Sequence, residues 1–525
     1  MATIVIFPRF GKQIRAKVPQ WPLVTTVNQR HAAVAGSFEK GSDSSQEEYE
    51  KALPFSSLPG PRGVPWFGKW FAYKRDISKV YRRDLVLKEF YNKYGYIVRE
   101  TVAGRDIVHL FHPDFIKQIY ETEGRYPAVP PLLEAVKTYR QRKDLAPGLG
   151  NSNGEEWYRL RKVVQHIMLR PYKALDYLRL QNKVATDFVD KFESLISENG
   201  EIPDFNRWMA RWGIESAAHN CFEMRMGYLE DKGAETANKI IDANSKVFDI
   251  SVKLFFSLPI YKLLPTPGIK KLYDCEDFIN GLAFELMGMA SKQYRQAVEE
   301  NSLTGDQFMF LSYLLGSKDV SERDIMPVIL SVLTDTLSTT SQIALFNLYS
   351  LATNPEAQEK AHDEALQLLS PSGELTAEAF NSCVYIKACI KESFRLLPVG
   401  LDILRLSPSN MVIGGYQVPE GTFLCLNNYC YALDPRVIPD PEVYSPERWL
   451  REDASKEKTH PYMLTPFSLG RRMCAGRRFA EQELVLLLSK ILARYRLEWH
   501  YGKLHQHFRL LCVPDQEVKI KFIPR

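Results

Sequence analysis

The chain has 525 residues, 45% of them hydrophobic and 25% charged, with a formal net charge of +5. That length holds two domains or one unusually large one, with ample apolar sequence to bury a large ligand. The charge is too mild to point to nucleic acid, and the eight cysteines form no C-x-x-C pair, which argues against a zinc site or a redox dithiol and for free thiols in a reducing compartment.

Residues 1–38 contain no Asp or Glu but carry Arg9, Lys12, Arg15, Lys17 and Arg30 among Ser, Thr and small apolar residues. This is the composition of a mitochondrial transit peptide. No apolar run near the start approaches the roughly 20 residues of a membrane-spanning helix. Residues 39–57 turn polar and acidic and read as a linker. Leu58 to Val64 and Pro65 then place five prolines and glycines in eight residues, a stiff entry to the folded part at 58–525.

Apolar and polar residues alternate from Tyr96 to Phe111, predicting a β-hairpin. Helical periodicity dominates from Pro113 to Leu368. Within it, Trp157 and Arg161 are four apart and share a helix face. A long apolar helix is predicted from Asp324 to Asn354, interrupted by the polar run Thr334 to Thr340, whose side chains need partners or water. Tyr385 to Pro398 is amphipathic, and Glu392 and Arg395 are spaced to pair. Lys387 and Lys391 project from one face of the same segment. Short strands follow from Val399 to Leu426, Arg405 lying in the first, and the tail from Leu504 to Pro524 alternates as a closing hairpin.

The most informative stretch is Pro466 to Arg478, which sets Cys474 between Gly470 and Gly476 and four arginines, just before the helix-forming run from Phe479 to about Tyr495. A thiolate there would sit at a helix N-terminus, where backbone N–H groups stabilise an anion. The pattern F-x-x-G-x-R-x-C-x-G, with Phe467, Gly470, Arg472, Cys474 and Gly476, resembles the haem-binding loop of cytochrome P450 monooxygenases. Four further motifs in the family's order extend the resemblance over about residues 58–525: Trp157 with Arg161, the central helix, Glu392 with Arg395, and the segment Tyr444 to Trp449 containing Arg448.

The resemblance implies a mainly α fold with a smaller β-rich part. It implies haem with Cys474 as the axial ligand, and Trp157, Arg161, Arg405 and Arg472 at the haem carboxylates. Glu392, Arg395 and Arg448 form a structural triad. Thr339 aligns with the threonine that helps deliver protons to dioxygen. The chain departs from the family pattern beside it: Ser338 stands where an acid is expected, and Thr336 where a glycine opens the helix. Asp335, one turn earlier on the face of Thr339, is the candidate to relay protons or to bind a polar group of the substrate. Val399, Gly400, Leu401 and Ile403 fall where family members line the substrate pocket.

Lys387 and Lys391, with Arg477 and Arg478, resemble the mitochondrial type, which docks an acidic ferredoxin reduced by an NADPH-ferredoxin reductase. The implied setting is the matrix face of the inner mitochondrial membrane, with peripheral membrane association. The implied substrate is an apolar small molecule, steroid- or sterol-like, ecdysteroids included. Two other readings share these residues: a haem-thiolate isomerase or dehydratase, and a non-catalytic haem-binding protein.

Overall fold

In the computed structural model the described residues are 43–525, except 65, 66, 132, 303–306 and 451–458. The transit-peptide segment at 1–38 lies outside them. The main helices, in chain order, are α1 (Asp43–Lys51), α2 (Pro113–Thr122), α3 (Glu134–Arg142), α4 (Gly154–Met168), α5 (Leu178–Asp190), α6 (Phe205–Phe222), α7 (Asp231–Phe255), α8 (Pro267–Glu299), α9 (Glu322–Ser338), α10 (Thr340–Ala352), α11 (Pro355–Leu368), α12 (Tyr385–Leu396) and α13 (Arg477–Arg494). Ten short strands complete the fold, from β1 (Ile97–Val102) and β2 (Arg105–Leu110) through β3 (Ile403–Leu406), β4 (Met411–Ile413), β5 (Tyr416–Val418) and β6 (Phe423–Leu426) to β7 (Tyr495–Glu498), β8 (Gln506–Arg509), β9 (Leu511–Pro514) and β10 (Lys521–Pro524).

The largest core gathers α5, α6, α10, α11, α12 and α13. It includes Phe188, Phe205, Trp212, Phe346, Ile386 and Leu487, all buried. The apolar stretch through α9 and α10 is long enough to cross a membrane, but it is mostly buried inside the fold as a central helix. β1 and β2 form the antiparallel hairpin expected from their alternation, and they join β6 and β3 in a sheet of order β1-β2-β6-β3. β2 and β6 run parallel, which requires the intervening helical body as a crossover.

One expectation is corrected. Residues 39–57 are not a plain linker: from Asp43 onward they are folded. Leu53 N–H donates to Gly415 O (3.0 Å), and Gln417 N–H donates to Leu53 O (2.8 Å), so the segment adds itself to β5. Within α1, Glu47 pairs with Lys51 one turn on. The central helix is interrupted inside the polar run that its sequence marks. It breaks at Thr339, with φ −124° and ψ −65°. The hydroxyls of Thr334, Thr336, Ser338, Thr339 and Ser341 each donate to the carbonyl four residues back, at 2.6–3.0 Å. Such back-bonding satisfies the buried hydroxyls and bends helices.

Candidate active site

The loop before α13 is held by Cys474 N–H donating to Phe467 O (2.8 Å). Phe467 packs edge-on against Phe394 of α12, 5.3 Å between centroids, tying the loop to the core. Gly470 has φ +72°, and a side chain there would run into the Glu123 carboxylate. Both facts require glycine. Gly476 caps α13, and a Cβ on it would meet Cys474 Sγ at 3.9 Å.

Cys474 is the only exposed cysteine; the other seven are buried or half-buried. Its sulfur opens into a cavity, which it lines with Val164, Val328, Val332, Ala475 and Phe479. The apolar lining suits a flat hydrophobic ligand. Burial raises the thiol pKa, against the backbone donors of Gly476 and Arg477 and the charge of Arg161. The helix terminus therefore does not by itself make a thiolate; a bound metal cation would, since coordination removes the thiol proton.

Across the cavity stand Asp335 and Thr339, with Thr336 and Thr340. Thr339 Oγ1 donates to the Asp335 carbonyl (2.6 Å). The Asp335 side chain has accessible surface, but that surface faces the cavity rather than open solvent. Burial pushes its pKa up to about 6, opposed by Arg140. Ser338 is not brought here. It is buried, accepts a hydrogen bond from Asn244 of α7 (2.7 Å), and lines a separate pocket with Leu337 and Gln342.

Close to Cys474 three arginines converge. Arg161 and Arg405 are almost fully buried. The Arg472 guanidinium stacks on Trp157, 4.5 Å from the ring centroid, and donates to Ser152 O. Arg405 pairs with Glu123 (2.7 Å) and donates to Ser468 Oγ (3.0 Å). Glu123 was not foreseen: it lies 282 residues before Arg405 and carries no motif. The Nε atoms of Arg161 and Arg472 and Oε1 of Glu123 are buried without a hydrogen-bond partner. Burial, with repulsion from Arg405 and Arg161, draws the Arg472 pKa down to about 9. Three guanidiniums against one carboxylate leave about two uncompensated positive charges, which are costly unless anions join them. Haem brings two carboxylates, so the residues present fit it.

The model of the family described as cytochrome P450 matches residues 58–522. The chain belongs to the cytochrome P450 family. This P450 is 35% identical over 475 residues to "Probable cytochrome P450 CYP44" of Caenorhabditis elegans, covering 89% of this chain and 94% of the relative. It is 30% identical to "Sterol 26-hydroxylase, mitochondrial" of Rattus norvegicus (82% and 83% covered). It is 28% identical to "1,25-dihydroxyvitamin D(3) 24-hydroxylase, mitochondrial" of the same organism (90% and 89%). As a member it is a haem-dependent monooxygenase whose cofactor carries a cysteine thiolate as axial ligand.

Behind the loop, Glu392 of α12 is fully buried in this P450 and accepts from Arg395 (2.7 and 3.0 Å), Arg448 (3.3 Å), the Ser445 N–H (3.0 Å) and Trp449 Nε1 (2.9 Å). On the outer face of α12, the two lysines differ. Lys391 is exposed, whereas Lys387 is half-buried, donating to Phe380 O (2.5 Å) with its ammonium 4.2 Å from the Phe380 ring. Arg477 and Arg478 both pair with Glu481 (2.8 and 3.3 Å). The basic face is thus partly neutralised, with Lys391 and Arg471 its exposed cations.

Proposed function

We propose that this P450 hydroxylates a steroid- or sterol-like substrate in the cavity above Cys474, using dioxygen and electrons from a ferredoxin, in the mitochondrion. The observation that carries the reading is the cavity itself. It is apolar, with one open thiol on its floor, Asp335 and Thr339 opposite, and close by a cluster of three arginines with a single carboxylate partner, Glu123. When bound there, haem with a thiolate ligand supplies the activation of dioxygen.

The chain's residues divide the work. Cys474 supplies the thiolate. Arg161, Arg405 and Arg472 hold the carboxylates, and Trp157 keeps Arg472 in place by stacking. Val328, Val332 and Phe479 exclude water. Asp335, near its midpoint at pH 6, holds a proton at its carboxyl, and Thr339 supplies a hydroxyl beside it to pass that proton on. Ser338, hydrogen-bonded to Asn244, has no part in this path. Glu392, Arg395 and Arg448 are structural.

The mitochondrial reading rests on the names of the relatives and on the acid-free segment 1–38. Docking of an acidic ferredoxin rests on Lys391 beside Lys387. Membrane association is supported by the exposed apolar side chains between α7 and α8: Ile260, Leu263 (80% exposed) and Leu264.

Sterol and steroid candidates scored for a haem spin-state shift, then for product with NADPH, ferredoxin reductase and ferredoxin, test the proposal. Hydroxylated product in step with NADPH consumption supports it. Product without NADPH would instead reveal an isomerase or dehydratase, and haem binding with no turnover a non-catalytic protein.

A further inference from the structure

We propose that His109, Asp402 and Cys425 form a second metal site, for a zinc-type divalent ion, inside the β1-β2-β6-β3 sheet and apart from the haem cavity. The strand register brings the three together. In the parallel β2–β6 pair, His109 stands opposite Cys425. In the antiparallel β3–β6 pair, Leu404 stands opposite Cys425, and Asp402 lies two residues before Leu404. Cross-strand partners, and residues two apart, point to the same face of a sheet. Three neighbouring strand paths thus offer one ligand each on one face. One ligand atom from each lies within 4.8 Å of the others.

The histidine is prepared for coordination. His109 is fully buried, and its Nε2–H donates to Glu100 Oε2 at 3.1 Å. Glu100 also accepts from Arg83 (2.6 Å), and as a carboxylate it takes the Nε2–H, which leaves the lone pair on Nδ1. Arg83 Nη2 also lies 3.2 Å from Nε2, but it is engaged by Glu100 Oε2 at 2.6 Å. Nδ1 is buried with no hydrogen-bond partner. The carboxylate–histidine–metal arrangement fixes a ligating imidazole in this way. Asp402 is oriented in turn by Asn427 Nδ2, 3.0 Å from Oδ1.

One nitrogen, one oxygen and one sulfur suit zinc and not magnesium or calcium, which take oxygen alone. Binding replaces the Cys425 S–H bond with a metal–sulfur bond and releases that proton to solvent. Nothing is oxidised or reduced. The ion would fasten β3, which carries Arg405, to β2 and β6.

The test uses untagged, haem-loaded protein equilibrated with zinc and then washed with a weak chelator. One zinc per chain is expected beside the iron, with one sulfur neighbour at about 2.3 Å in zinc-edge absorption. Cys425→Ser and Asp402→Asn should each weaken zinc binding by at least about tenfold. Cys430→Ser, at a nearby buried thiol, should not. Variants are compared only where the reduced carbon-monoxide spectrum shows intact haem ligation. The wild-type stoichiometry and edge spectrum decide the question without any variant. A protein that retains no zinc, or zinc without a sulfur neighbour, overturns the site. So does zinc held equally by both ligand variants, which would be adventitious.

Discussion

Replacing Glu392 by Ala should remove about 3–5 kcal/mol of stability, the usual cost of breaking a buried ion pair from one side. The geometry places the loss at the upper end. The Glu392 and Arg395 side chains are both 0% exposed. Each Glu392 oxygen accepts at least two hydrogen bonds, and Trp449 Nε1 and the Ser445 N–H have no substitute acceptor among the described contacts. Arg395 would keep only the carbonyls of Ala432, Pro441 and Val443, which carry no full charge. Arg448 → Ala should cost less, because its side chain is 18% exposed and its contact with Glu392 is long, 3.3 Å. A domain's whole stability is about 5–15 kcal/mol, so the Glu392→Ala protein should yield little haem-loaded material. Urea unfolding followed by circular dichroism measures it, with the unfolding rate read instead where refolding fails. A Glu392→Ala protein within about 0.5 kcal/mol of wild type would refute the claim that this carboxylate supports the Cys474 loop.

Asp335→Asn should leave haem binding intact but lower coupled turnover by about 100-fold, the scale of a lost proton donor. Because the protonated form donates, the wild-type coupled rate should fall as pH rises through about 6. A variant with unchanged coupling and pH profile would rule out the relay. Glu483 of α13 is buried, accepts from Ser216 (2.5 Å) and Asn220 (3.1 Å), and burial pushes its pKa up to about 7. A raised carboxyl favours folding at low pH and penalises it as pH climbs from about 4.5 through 7. The wild type should therefore lose up to about 3 kcal/mol relative to Glu483→Gln between pH 5 and 8; parallel stability curves would contradict this. Lys391→Glu should raise the apparent KM for ferredoxin several-fold and flatten its salt dependence, and Lys387→Glu should do so less, since Lys387 is tucked against Phe380. Loss of haem in either variant would show a structural role instead.

Much of this was legible in the sequence because the decisive contacts are local. Cys474 with its glycines and Glu392 with Arg395 are set by spacing within one loop or one helix, and spacing likewise puts Trp157 and Arg161 on one helix, although Trp157 finds its cation in Arg472. The β1–β2 hairpin likewise follows from alternation over 16 residues (96–111). What escaped is long-range or angular. Glu123 meets Arg405 across 282 residues, and no pattern in the chain announces it. Ser338 and Asp335 are three apart and share a face on an ideal helix. Asn244 donates to the Ser338 hydroxyl, a partner only the tertiary fold supplies. Lys387 reads as a surface charge, but its stem and ammonium fold onto Phe380, as long cationic side chains do beside aromatic rings.

The central claim is that Cys474, and none of the other seven cysteines, is the thiolate ligand. The reduced carbon-monoxide difference spectrum of Cys474→Ser and Cys425→Ser, each against wild type, tests it most directly. The account predicts the thiolate-type band in the wild type and in Cys425→Ser, and its loss in Cys474→Ser. A thiolate band that survives in Cys474→Ser would contradict it.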